Sequence, residues 1–67
     1  MNEEHKLLEY LYRKLGEERE EIVAGLARGT AVDYAHYREA CGRIYGLAMA
    51  QGIVNEMSDK LRKQDGD

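Results

Sequence analysis

The sequence of 67 residues contains no proline, no tryptophan and no phenylalanine. Because proline breaks helix interiors, its absence allows long uninterrupted helices. Charged residues make up 34% of the chain, a balance that favours helix over sheet. A chain of this length seldom buries enough apolar surface to be stable alone. We therefore predict a single all-α domain over residues 1–67 that is completed by self-association.

Cysteine is nearly absent as well. Cys41 has no second cysteine to pair with, which fits a reducing, cytosolic setting. His36 would point about 140° away from Cys41 on a helix, so the thiol has no candidate base. No glycine-rich phosphate loop, nucleophile elbow or paired-carboxylate site is present in the sequence. We predict a protein that is not an enzyme and that needs no cofactor.

No long apolar run is present. The longest uncharged stretch, Ile44 to Asn55, is well short of the ~20 residues that span a bilayer. The first residues are polar and charged, so no secretion signal is expected. The net charge is -3 with both signs interspersed, and such a surface has no basic field for a nucleic-acid backbone. Membrane and nucleic acid are therefore both disfavoured as partners.

Metal ligands are also sparse. Glu17 and Glu21 share a helix face, but an acidic run of this kind is typical of a solvated surface. Asp33 and His36 lie three residues apart, and no third ligand has the spacing to join them. We predict no metal site.

Apolar residues recur with helical spacing in the first part of the chain. The repeating positions are Leu8, Leu11, Leu15, Ile22 and Leu26. This pattern predicts a helix over about residues 3–27, with Glu3 and Glu4 at the positive end of its dipole.

A turn is predicted at Arg28, Gly29 and Thr30. Gly29 can adopt the positive φ with which helices commonly end, and threonine is a favoured N-cap. Asp33 stands three residues after Thr30, as in a capping box with the shorter acid. Helix two is predicted over about residues 31–62, followed by a frayed polar tail at 63–67.

Small residues recur at every fourth position of helix two, at Gly42, Gly46 and Ala50. Another backbone can approach such a strip closely. We interpret it as a contact with helix one or with helix two of a second copy; the alternative is a groove open for a ligand or partner helix. The complete predicted helix-packing interface consists of Leu8, Leu11, Leu15, Ile22, Leu26, Tyr37, Cys41, Gly42, Ile44, Gly46, Ala48 and Ala50. The predicted architecture is an antiparallel hairpin that dimerises as a four-helix bundle or forms a higher symmetric oligomer.

Tyrosine and arginine cluster early in helix two, at Tyr34, Tyr37, Arg38, Arg43 and Tyr45. Ring faces and guanidinium groups can hold a nucleotide or another anionic ligand. Tyrosine is equally suited to a half-buried helix interface, so both interpretations stay open.

The segment from Arg28 to Arg38 reads R-G-T-A-V-D-Y-A-H-Y-R, and Gly42, Ile44, Gly46 and Leu47 continue it. It resembles an R-G-x-A-x-D-Y-x-x-Y-R turn pattern of small uncharacterised proteins of tailed bacteriophages. Cys41 and Gly52 depart from that pattern. The resemblance implies a setting in the cytoplasm of an infected bacterium or in the virion, and it implies no chemistry.

Two functions are consistent with these features. The first is a non-enzymatic virion assembly or accessory factor that contacts itself and a phage structural or host protein. The second is a host-directed binding module that inhibits a defence protein or sequesters an anionic nucleotide signal.

Overall fold

The computed structural model describes residues 3–66, without the side chains of residues 65 and 66. It contains α1, Glu3–Ala27, and α2, Tyr34–Gly66, and no strand is found within that range. The two helices pack side by side in a body of 51 × 14 × 12 Å. The prediction of an all-α, two-helix hairpin is thereby confirmed.

The end of α1 is a Schellman motif built on Gly29. The Gly29 N–H donates to the Leu26 carbonyl oxygen, and the Thr30 N–H donates to that of Gly25, both at 3.0 Å. Gly29 has a φ of 83°, the left-handed conformation that this motif requires. The predicted bounds of helix one and the role of Gly29 in ending it are confirmed.

The predicted start of helix two is wrong. The structure begins α2 at Tyr34 instead of Ala31, and the N-cap is Asp33 instead of Thr30. Asp33 Oδ1 accepts a hydrogen bond from the His36 N–H at 2.8 Å, and His36 Nδ1 accepts one from the Val32 N–H at 3.2 Å. This reciprocal pair resembles a capping box in which histidine replaces glutamate.

Thr30 does not cap α2 because it belongs to the end of α1. Its amide is bonded to Gly25, and its side-chain oxygen would lie 3.2 Å from a Cβ placed on Gly25. The connection therefore extends through Asp33 and is longer than the predicted turn at 28–30.

Replacing Asp33 with alanine tests this assignment. Loss of an N-cap acceptor costs about 1 kcal/mol of unfolding free energy, measurable by urea denaturation at fixed protein concentration. Asp33→Asn keeps the side-chain acceptor and is expected to lose only a few tenths of that. Equal losses in the two variants would contradict capping and point to the charge of Asp33 instead.

The far end of α2 is also longer than predicted. Residues 63–66 continue the helix, so the predicted frayed tail is wrong for them, and residue 67 lies outside the described range. Lys63 lies in the last turn, where a cation complements the negative end of the helix dipole. Arg62 pairs with Asp59 one turn earlier. Both charges favour continuation of the helix beyond Arg62.

The helices meet along a seam whose positions alternate three and four residues apart, the spacing of a coiled coil. On α1 the seam follows His5, Leu8, Tyr12, Leu15, Arg19, Ile22 and Leu26; on α2 it follows Ala40, Ile44, Leu47, Gln51, Val54, Ser58 and Leu61. Several of these side chains are polar, and Ala40, 8% exposed, is the one hydrophobic residue of the described range that is buried. The hairpin therefore has a narrow and weak core.

Candidate interaction surface

Most of the residues predicted to pack the helices lie on or beside the seam and are half-buried. These are Leu8, Leu15, Ile22, Leu26, Cys41, Ile44, Ala48 and Ala50. Leu11 and Tyr37, assigned to the same interface, are exposed. They lie at the edges of the two contact faces.

Gly42 and Gly46 do not contact α1. A Cβ added at either glycine would meet no heavy atom within 4 Å. Since Ile44 faces α1, a residue two positions away is rotated by roughly 160° to the opposite side of the helix. Packing against helix one, one of the two contacts predicted for the small-residue strip, is therefore wrong for these glycines.

An apolar surface surrounds the two glycines. Met49, Ile53 and Met57 repeat at every fourth position and are 52%, 62% and 48% exposed. We call the surface formed by Gly42, Gly46, Met49, Ile53 and Met57 the outer face of α2. It is directed away from α1, and Tyr45, also exposed, lies at its edge. Exposed apolar patches are typical of interaction surfaces, which makes the outer face of α2 the candidate interaction surface of the hairpin.

Two residues that the sequence analysis missed set how the helices fit together. Gln51, 7% exposed, donates from Nε2 to the Tyr12 carbonyl oxygen at 3.1 Å. Gly16 makes room for it, because a Cβ on Gly16 would lie 2.8 Å from that nitrogen. A buried polar side chain at a seam position specifies helix register. The alternation of three and four from Ala40 to Leu61 is the signal that could have revealed Gln51.

The tyrosine and arginine cluster forms an open surface. The rings of Tyr34 and Tyr37 have centroids 6.2 Å apart and are tilted by 31°. A hydrogen bond with the Cys41 side chain, reinforced by the electrostatic effect of that group, raises the pKa of Tyr37, while Arg38 acts against the shift.

Arg43 does not belong to the same patch. It is two residues from Tyr45 and thus roughly 160° away around the helix. Two clefts in the described part of the hairpin are lined by other residues, chiefly Leu8, Tyr12, Val54, Gly16 and Gln51. The structure therefore does not bring the five proposed ligand-contact residues together around one cavity.

Glu17, in the acidic run of α1, is engaged in local ion pairs. Glu17 lies 3.4 Å from the Lys14 ammonium and 3.9 Å from Arg13, and Arg13 also lies over the Tyr10 ring at 5.5 Å. Within the described part of the chain, no three histidine, cysteine or acidic residues are grouped to hold a metal ion. Neither helix, over the residues described, has a segment apolar and long enough to cross a bilayer.

These features define the class of molecule: an all-α helical hairpin with a coiled-coil-type seam and an apolar outer face. Comparison with known protein families, with curated proteins and with solved structures found no match to this chain. Its function has to be inferred from the exposed surface itself.

Proposed function

We propose that the protein is a non-enzymatic assembly or accessory factor that acts through protein contacts, as an oligomer of helical hairpins. The observation that carries this proposal is the imbalance between buried and exposed apolar groups. Twelve large hydrophobic side chains are exposed, whereas Ala40 is the one buried hydrophobic residue among those described. A hairpin with this surface gains stability by covering it.

The exposed area supports association quantitatively. The hairpin exposes 5271 Å², while a compact monomer of 7.7 kDa is expected to expose roughly 4300 Å². The excess of roughly 900 Å² is close to the ~800 Å² that each partner buries in an interface of standard size. One contact with a partner would bring the chain to the burial of an ordinary folded protein.

The setting proposed for this activity is the cytoplasm of a phage-infected bacterium, or the virion. The resemblance of residues 28–47 to small tailed-phage proteins supports it. In that setting the oligomer would contact a phage structural protein or a host protein.

Light scattering coupled to size-exclusion chromatography tests the oligomer. At micromolar concentration we expect the mass of a dimer or a larger symmetric assembly. The melting temperature should also rise with protein concentration, because association stabilises the folded state by mass action. A stably folded monomer with a concentration-independent melting temperature would remove the proposal.

The exposed pair Tyr34 and Tyr37, next to Arg38, favours a second function. Stacking on the rings and pairing with the guanidinium group would let a host-directed module sequester an anionic nucleotide signal. Thermal-shift measurements with a panel of nucleotides test it, with Arg38→Ala as the control. A shift that Arg38→Ala abolishes would support sequestration, and no shift with any nucleotide would eliminate it. Inhibition of a defence protein would instead give a specific complex in a pull-down from bacterial lysate.

A further inference from the structure

We propose that the outer face of α2 is the surface through which two copies of this chain associate, with their α2 helices antiparallel. This inference rests on the proposed function, because it names the surface and the partner of the same oligomer.

The outer face is the apolar surface of the hairpin best suited to this role. The stretch from Ile44 to Asn55 has no charged residue, so a partner helix would not have to desolvate an unpaired charge there. Other exposed hydrophobic residues lie outside the helices or beside charged groups: Val32 lies in the connection between the helices, Arg13 lies over Tyr10, and Arg38 directly follows the Tyr34–Tyr37 pair. Only the outer face combines apolar side chains with a backbone open to close approach.

The outer face is complementary in shape to its own copy. Its N-terminal half is bare, since nothing lies within 4 Å of a Cβ added at Gly42 or Gly46. Its C-terminal half carries the bulky Ile53 and Met57. An antiparallel pair centred between residues 49 and 50 sets Ile53 of one copy over Gly46 of the other, and Met57 over Gly42. This is an isologous contact, in which the same patch is used by both subunits and the dimer is closed.

The charges at the ends of the outer face favour the same orientation. Glu39 precedes the face and Lys60 follows it, at equal distances from the proposed centre. Antiparallel helices bring opposite charges toward each other at both ends, whereas parallel helices would oppose glutamate to glutamate and lysine to lysine. Antiparallel helix dipoles are also mutually favourable.

The flank of α1 beside the seam limits the contact to α2. Leu7, Leu11, Lys14 and Glu18 follow one another at spacings of four, three and four, so they share one side of α1. The apolar part of that side ends at Leu11, and charged residues continue it. This distribution favours a pair centred on α2 over a four-helix bundle in which α1 packs along its whole length.

Leucine substitutions at two glycines test the surface. Gly46→Leu places a bulky side chain in the bare half of the outer face, and Gly52→Leu is its matched control. Both glycines have open space around a Cβ, but Gly52 is about 120° around the helix from Gly46. Both changes raise helix propensity, so loss of the fold is not expected. We expect Gly46→Leu to raise the dimer dissociation constant at least tenfold in sedimentation equilibrium, with Gly52→Leu within twofold of the unaltered chain.

Ile53→Asp provides a second, independent variant. It introduces a charge into the C-terminal half of the outer face, and a similar loss of association with retained helical circular dichroism is expected. An unaltered chain that is monomeric would overturn the proposed function itself. An oligomer that survives both Gly46→Leu and Ile53→Asp would overturn this inference alone. Equal dissociation of Gly46→Leu and Gly52→Leu would do the same, because the effect would not belong to the outer face.

Disulfide cross-linking tests the orientation, in a Cys41→Ala background. A mixture of Glu39→Cys and Lys60→Cys chains is expected to give a mixed disulfide dimer on mild oxidation, because the thiols meet only in the antiparallel pair. Each variant alone should cross-link at least tenfold less. Efficient cross-linking of Glu39→Cys with itself would overturn the antiparallel arrangement.

Discussion

Replacing Ile44 with aspartate is expected to abolish most of the helical circular dichroism of this protein at 25 °C. Ile44 is half-buried in the seam, so the change forfeits about 1–2 kcal/mol of apolar burial. The carboxylate adds a desolvation cost of about 1–3 kcal/mol. A domain of 67 residues has a total stability of roughly 3–10 kcal/mol, and a hairpin with so small a core should lie at the lower end.

A matched control separates this effect from the general cost of adding a charge. Val32 is 83% exposed in the connection between the helices, and Val32→Asp is expected to change stability by less than about 0.5 kcal/mol. Circular dichroism at 222 nm with urea titration of both variants measures the difference. Retention of the helical signal by Ile44→Asp would mean that the seam is not what holds the hairpin together.

Replacing Gly29 with valine is expected to cause a large decrease in the melting temperature. Gly29 has a φ of 83°, and a β-branched residue is strained in that conformation by about 1–2 kcal/mol. For a domain of this size each kcal/mol lowers the melting temperature by roughly 4–8 °C. We therefore expect a decrease of about 5–15 °C at fixed protein concentration.

A D-amino acid at position 29 provides the control for this substitution, because it prefers positive φ. D-Alanine at position 29, introduced by chemical synthesis, prefers positive φ and restricts the unfolded chain, so the melting temperature should be kept or raised. Equal decreases in melting temperature for valine and D-alanine would contradict the Schellman geometry. They would indicate that any side chain at position 29 destabilises the fold, whatever its preferred φ.

The two predictions bear on function because the seam and the turn together position the outer face of α2. The turn brings α2 back along α1, and the seam determines which side of α2 is covered. If the seam or the turn is disrupted, Gly46 and Ile53 are no longer presented on a rigid surface.

Features that depend on neighbouring residues were predictable. The bounds of α1 follow from the spacing of its leucines and the glutamates in its first turn, and its end follows from the positive φ available to Gly29. The start of α2 was harder to predict from the sequence, because Thr30 and Asp33 are both good N-cap residues. The choice between them depends on Thr30 being used at the end of α1, a contact between two elements.

The register of the seam was missed for a related reason. Gln51 looks like a surface residue in the sequence, and it is buried only because Gly16 leaves space for its amide and the Tyr12 carbonyl accepts its hydrogen bond. That arrangement joins residues far apart in the chain, so the spacing along α2 can place Gln51 at a seam position but does not show the space and the acceptor that bury it.

By itself, the sequence determined that this protein has two helices and where the first one ends, since helical spacing and a glycine turn act over a few residues. Tertiary structure decided which side of α2 is inside. Between Ile44 and Asn55 apolar and small residues surround α2 on nearly all sides, so periodicity alone does not distinguish one face from another. Packing against the single apolar stripe of α1 made the choice, and it left Gly46 and Ile53 on the outside.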